Sequence, residues 1–205
     1  MVFSYSGSPE AAERLAAETG STAVQADSAD RDAVISLVRD SGPLDVLVVN
    51  AGIRALVTLS SRTAMPSIAC SASIFTPYHA SVEAARRMPE GGRIIVIGSV
   101  NGDRMPLPGM AAYAVSKAAL QGLARGLARD FGPRGITVNV VQPGPIDTDA
   151  NPENGPMKEL MHSFMAIKRH GRPEEVAGMV AWLAAGPEAS FVTGAMHTID
   201  GAFGA

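Results

Sequence analysis

Ser99, Tyr113 and Lys117 are the residues whose types and spacing can do chemistry. Tyr113 and Lys117 lie four positions apart, so on a helix they stack on one face. A free phenol titrates near ~10, too high for a base at neutral pH. A neighbouring ammonium stabilises the phenolate and so makes the phenol usable as an acid or base. With a serine hydroxyl at a strand end, the three read as a proton-handling site. The plainer reading of each stands beside this one: a Tyr-x-x-x-Lys pair is an ordinary helix face, and a serine after a strand is a turn residue.

The elements that must position these groups are legible around them. Ile94-Ile95-Val96-Ile97 is a β-branched run that reads as a buried strand ending at Gly98-Ser99. Ala111 to Phe131 reads as one long helix carrying Tyr113 and Lys117. Before them the chain alternates: strand Val2–Tyr5, helix Glu10–Thr19 opened by Ser8-Pro9 and ended by Gly20, strand Thr22–Gln25, helix Arg31–Ser41 capped by Ser28 or Asp30, and strand Leu44–Val49. After a helix over Tyr78–Met88 and the central pair come strand Ile136–Val141, an amphipathic segment Met157–Ala166, a helix from Arg172 to Ala185, and strand Val192–Ile199. The alternation predicts an α/β fold, a doubly wound parallel sheet with helices on both faces, in a single domain. Met157, Leu160, Met161 and Phe164 recur at helical spacing; they read either as a lid over a site or as helix-core packing.

Composition removes several classes of function. The 205 residues are 46% hydrophobic and 18% charged, enough for a sizeable core, and the net charge of −3 with no basic run argues against a nucleic-acid polymer as partner. Cys70 is the single cysteine, so no intrachain disulfide forms. No apolar run is long enough to span a bilayer, and the first residues lack the pattern of a signal peptide, so the expectation is a cytoplasmic protein. His79, His162, His170 and His197 are scattered without metal-ligand spacing, and Asp147 and Asp149 read as solvated loop acids, so no metal is expected.

Further motifs fall in order along the chain: Asn50-Ala51-Gly52 after a strand, Ser99, Tyr113-x-x-x-Lys117, Pro143-Gly144 after a strand, Thr193-Gly194, and Asp200-Gly201. In this order the chain resembles the short-chain dehydrogenases/reductases, a Rossmann-type family. The stretches GSVNGDRMPLPGMAAYA and GPIDTDANPENGPM are similar to its cyclic-di-GMP-binding, biofilm-dispersal branch. The resemblance implies hydride transfer between NADP(H) and a small carbonyl or alcohol substrate, with Tyr113 as acid/base, Lys117 lowering its pKa and Ser99 orienting the substrate oxygen. It implies cofactor contacts at Ser6, Asp27, Asn50, Ala51, Gly52, Tyr113, Lys117, Pro143, Gly144, Ile146 and Thr148. Asp27 reads equally as an adenine contact and as a helix cap. The resemblance also implies a homo-oligomer formed through the helices Tyr78–Met88 and Ala111–Phe131.

The sequence departs from the family pattern twice. No strand, Gly-rich turn and helix precede Val2, and the unit expected there receives the pyrophosphate; its absence is expected to leave sheet edges and apolar faces uncovered. Arg54 to Pro77 contains no acid, Lys, Asn or Gly, and Pro66 stands where a helix is expected. Joining the last base of each codon to the first two of the next, over Val57 to Pro77, permits DAVEPDGDAEHRLFSINIYA. That shifted reading restores acids and the family's fourth catalytic residue, an Asn. A frameshifted segment and a divergent loop are the two readings. Three functions follow: an impaired NADP(H)-dependent reductase, a non-catalytic cyclic-di-GMP-binding protein, or an inactive fragment.

Overall fold

The computed structural model describes residues 1–50 and 65–205, and for 65–71 the backbone alone. The strands are β1 (Val2–Tyr5), β2 (Thr22–Gln25), β3 (Val46–Val49), β4 (Arg93–Ile97), β5 (Thr137–Pro143) and β6 (Met196–Ile199). The helices are α1 (Pro9–Thr19), α2 (Arg31–Asp40), α3 (Met65–Arg87), α4 (Ala111–Phe131), α5 (Lys158–Phe164) and α6 (Pro173–Ala185). Every strand pairing is parallel, in the orders β1-β2 and β3-β4-β5-β6.

The α/β class follows from how the apolar residues of β4 divide. Side chains alternate across a strand, so Ile94 and Val96 face one layer while Ile95 and Ile97 face the other. Ile94 and Val96 pack with Val138 and Val140 of β5 against Val34 and Val38 of α2, Ala84 of α3, and Leu120, Ala124 and Leu127 of α4. Ile95 and Val141 pack against Leu183 of α6, with Val176 and Val180 beside them. A strand covered on both faces reads as an apolar run, as Ile94 to Ile97 of β4 do; β5 is buried on both faces too, though Asn139 and Gln142 interrupt its valines. Local signals set the ends of the helices: Asp30 caps α2 by accepting from the Asp32 and Ala33 amides, and Gly20 ends α1 in the left-handed region at φ 63°.

Two expectations need correction. The helix read as Tyr78–Met88 begins at Met65, and Pro66 is its second residue. First-turn amides have no intrahelical partner, so proline is tolerated there; Pro77, inside the helix, has a fully buried ring. The departure expected over residues 54–77 is thus helical from 65 onward, and the rest of it lies outside the described residues. The last strand begins at Met196, not Val192, because Gly194 sits at φ 68° and its amide donates to the Val138 carbonyl while Thr193 Oγ1 accepts from the Val138 amide. The sheet is not continuous: among the described residues no ladder joins β1 to β3. Exposure follows that break, with no buried residue in β1 or β2, Val48 of β3 42% exposed and Leu15 of α1 46% exposed.

Candidate active site

Ser99 is delivered by β4 through a close approach. A Cβ on Gly98 would lie 2.6 Å from Val140 Cγ1, so only glycine lets the chain leave β4 against β5 at this point. Ser99 then caps a 3-10 turn over Val100–Gly102, its Oγ accepting from the Asn101 amide at 3.2 Å. That bond occupies an acceptor site and leaves the hydroxyl proton free to donate to a substrate oxygen.

α4 supplies the other two groups from one face. Lys117 is 7% exposed, and its Nζ donates to the Ile97 carbonyl at 3.1 Å, at the end of the strand that delivers Ser99. The ammonium stands 5.8 Å from the centre of the Tyr113 ring. Burial pushes Lys117 down to about 8, because a low-dielectric setting disfavours the charged form.

Ser99 and Tyr113 line one cavity of ≈ 220 Å³ with Gly144, Ile146 and Thr148 from the end of β5 and the loop after it. Gly144 is there for space: a Cβ would lie 2.6 Å from Asp200 Cβ. Met161 of α5 and Phe203 of the C-terminal tail close the cavity, and Phe203 stacks edge-on against Phe164 at 5.6 Å between ring centres. Arg104 holds this tail by donating to the Phe203 and Ala205 carbonyls. The apolar positions of α5 therefore serve both readings: Met161 faces the cavity, Phe164 packs, and Met157 and Leu160 are exposed.

The remaining expected cofactor positions are spread along the carboxyl ends of the strands. Ser6 follows β1, Asp27 follows β2, Asn50 follows β3, and Pro143 ends β5. Open parallel α/β sheets bind ligands at this edge. Asp27 does not cap α2, the role Asp30 fills; its carboxylate accepts from the Ala29 amide at 2.8 Å and closes a turn. Asn50 and Ser6 are exposed. Ala51 and Gly52 lie outside the described residues.

Two groups escaped the sequence reading. Asp103 is clamped beneath Ser99: Gln121 Nε2 donates to its Oδ1 at 2.8 Å, and Gln142 Nε2 donates to its Oδ2 at 2.7 Å and to the Ser99 carbonyl at 3.1 Å. A glutamine one turn past Lys117 and another inside the apolar run of β5 were the available signals. The second group contradicts the view that the histidines are scattered. His162 Nε2 and His170 Nδ1 are 3.1 Å apart, with Glu153 Oε1 3.7 Å from His162 Nε2. Burial, then the neighbouring His162, holds the His170 ring below the usual histidine value.

Comparison with known proteins agrees with this architecture. The family model described as enoyl-(acyl carrier protein) reductase matches residues 1–203. The chain is 74% identical over 204 residues to the cyclic-di-GMP-binding biofilm dispersal mediator protein of Escherichia coli K12, covering 99% of this chain and 86% of that protein. It is 36% identical over 196 residues to the 3-oxoacyl-[acyl-carrier-protein] reductase MabA of Mycobacterium tuberculosis, covering 92% of this chain and 78% of that one. Among solved structures, BdcA in complex with NADPH superposes with a TM-score of 0.96 at 74% identity, covering 100% of this chain and 84% of that one. A short-chain dehydrogenase from Burkholderia cenocepacia in complex with NADP superposes with a TM-score of 0.95 at 42% identity, covering 100% and 87%. The chain belongs to the short-chain dehydrogenase/reductase family of oxidoreductases.

Proposed function

We propose that this chain carries the site of an NADP(H)-dependent carbonyl reductase, with Tyr113 as the acid/base. The observation that carries the reading is the cavity itself: Ser99 and Tyr113 face one small space beside Gly144, Ile146 and Thr148, with the Lys117 ammonium behind the phenol. NADP(H), when bound there, would supply the hydride for the carbonyl carbon. Ser99 keeps its proton and hydrogen-bonds the carbonyl oxygen through its hydroxyl, holding it beside Tyr113. Tyr113 gives its proton to that oxygen as negative charge develops there, and Lys117 stabilises the phenolate left behind. Ile146 and Thr148 shape the wall for the nicotinamide end, and Ser6, Asp27 and Asn50 mark the adenosine end. Ser6 and Asp27 lie on the thin side of the fold, beside β1 and β2, so cofactor affinity is expected to be low. NADPH oxidation with a panel of small carbonyls tests the reading; oxidation that persists unchanged in Tyr113→Phe would sink it.

A second reading rests on the 74% identity to a cyclic-di-GMP-binding protein. A cavity of ≈ 220 Å³ suits a small carbonyl compound, and a cyclic dinucleotide is far larger, so that ligand would lie across the strand ends where the adenosine portion of NADP(H) is expected. Calorimetry separates the readings: cyclic-di-GMP binding that NADPH cannot displace, without NADPH binding, favours the binding protein. Phe75 and Tyr78 on α3 and Val115 on α4 are 58%, 44% and 58% exposed, which supports a homo-oligomer through these helices. Among the described residues no helix is long and apolar enough to cross a membrane, and a cytoplasmic setting fits the proposed chemistry.

A further inference from the structure

We propose that Glu153, His162 and His170 bind one divalent transition-metal ion, and that the donor set suits Zn2+. The three residues come from the loop after β5, from α5 and from the segment leading to α6, so tertiary structure, not local spacing, assembles them. Among the described residues they are a group whose donor atoms all lie within 4.8 Å of one another.

Two of the three donor–donor separations are close to the edges of a tetrahedral site, and the third is within 4.8 Å. Zn–N and Zn–O bonds of ~2.0–2.2 Å give donor–donor edges of roughly 3.3–3.6 Å. The His162 Nε2 to His170 Nδ1 separation is 3.1 Å and the His162 Nε2 to Glu153 Oε1 separation is 3.7 Å, on either side of that range. Without an ion, one neutral ring donates its N–H to the other, and an ion would take the place of that proton. Two imidazoles and one carboxylate are too rich in nitrogen for Ca2+ or Mg2+, which take oxygen ligands.

The donors are also held in place. His162 is 9% exposed and His170 2% exposed. Next to His170, the Gly171 amide donates to the Pro145 carbonyl, and the Gly171 carbonyl accepts from the Asp147 amide. The Glu153 amide donates to Asp147 Oδ1 at 2.8 Å, and Lys168 Nζ donates to the His162 carbonyl at 2.8 Å. The Glu153 side chain is 37% exposed, which leaves the fourth corner open to water. Lys158 at the start of α5 opposes a cation here and Asp147 supports one. None of the three donors lines the cavity beside Tyr113, but Met161, the neighbour of His162, does. The ion would therefore fasten α5 to the loop after β5 and fix the Met161 side of the cavity.

Cobalt spectroscopy tests this on the purified full chain after stripping with EDTA. Titration with Co2+ is expected to give the intense visible d–d bands of a tetrahedral complex, saturating at one ion per chain and lost on adding Zn2+. Glu153→Gln, His162→Asn and His170→Asn are each expected to weaken Co2+ binding by at least about tenfold. If a histidine variant fails to fold by circular dichroism, Glu153→Gln at its half-exposed position decides the matter. Octahedral spectra, no saturable binding, or affinity unchanged in Glu153→Gln would each overturn the proposal.

Discussion

β5 and β1 are parallel strands of one chain built to different depths. Six of the seven residues of β5 are buried, and none of the four residues of β1 is. β5 lies between β4 and β6 with helices on both faces, whereas among the described residues β1 pairs with β2 alone. The proton-handling groups hang from the first region, and two of the expected adenosine contacts, Ser6 and Asp27, from the second. Burial on both faces fixes Ser99 and Lys117 to within a hydrogen bond of β4 and the turn that follows it. Among the described residues Ser6, exposed after β1, has no comparable support. The difference separates the two halves of the proposed activity: chemistry rests on a packed core, and cofactor affinity rests on surface.

The contrast can be broken or sharpened by experiment. The largest effect is expected from Tyr113→Phe, which removes the proton donor and should lower NADPH-dependent carbonyl reduction by about 10²–10⁴-fold with the fold intact by circular dichroism. Ile94→Ala, at a fully buried position of β4, should cost ~2–5 kcal/mol in urea unfolding. Lys117 gives a pH-dependent effect of about 3 kcal/mol, from a displacement of 10.5 to about 8. Between those values the unfolded chain binds more protons than the native one, so stability should rise with pH from about 8 to about 10.5. Below that window the cost of the buried charge is present in full. Urea midpoints across the range should show the rise, and Lys117→Met should flatten it. The smallest effect belongs to the thin side: Leu15→Ala, at an exposed position of α1, should shift stability by less than ~0.5 kcal/mol. A cost there equal to that of Ile94→Ala would mean that α1, β1 and β2 share a core with the rest, and the contrast would fail.

What the sequence revealed follows the same division between local and distant causes. The bounds of α4 and the strands β4 and β5 were readable because each is set by residues within a few positions, and the cap of α2 was narrowed to Ser28 or Asp30, of which Asp30 fills the role. Ser99 and Tyr113 were readable from a strand end and a helix face, whereas Gly144, Ile146 and Thr148 were readable through the family resemblance alone; the five line one cavity. The start of α3 was hidden by Pro66 and Pro77, whose costs depend on position in the helix and on burial. The Gln121–Asp103–Gln142 clamp and the His162–His170 contact were hidden because nothing near any of these residues announces its partner.

The close approach at Gly144 has a consequence for how this site can change. Any side chain there strikes Asp200, whose carboxylate accepts from the Ala202 and Gly204 amides and so shapes the turn that presents Phe203 to the cavity. The proposed nicotinamide and substrate sides of the space are thus mechanically joined at one backbone contact. A mutation that enlarges position 144 should first redraw which substrates fit, through the tail. Substrate range can drift more freely through Phe203 and Met161, whose side chains face the cavity without being pinned between two strands.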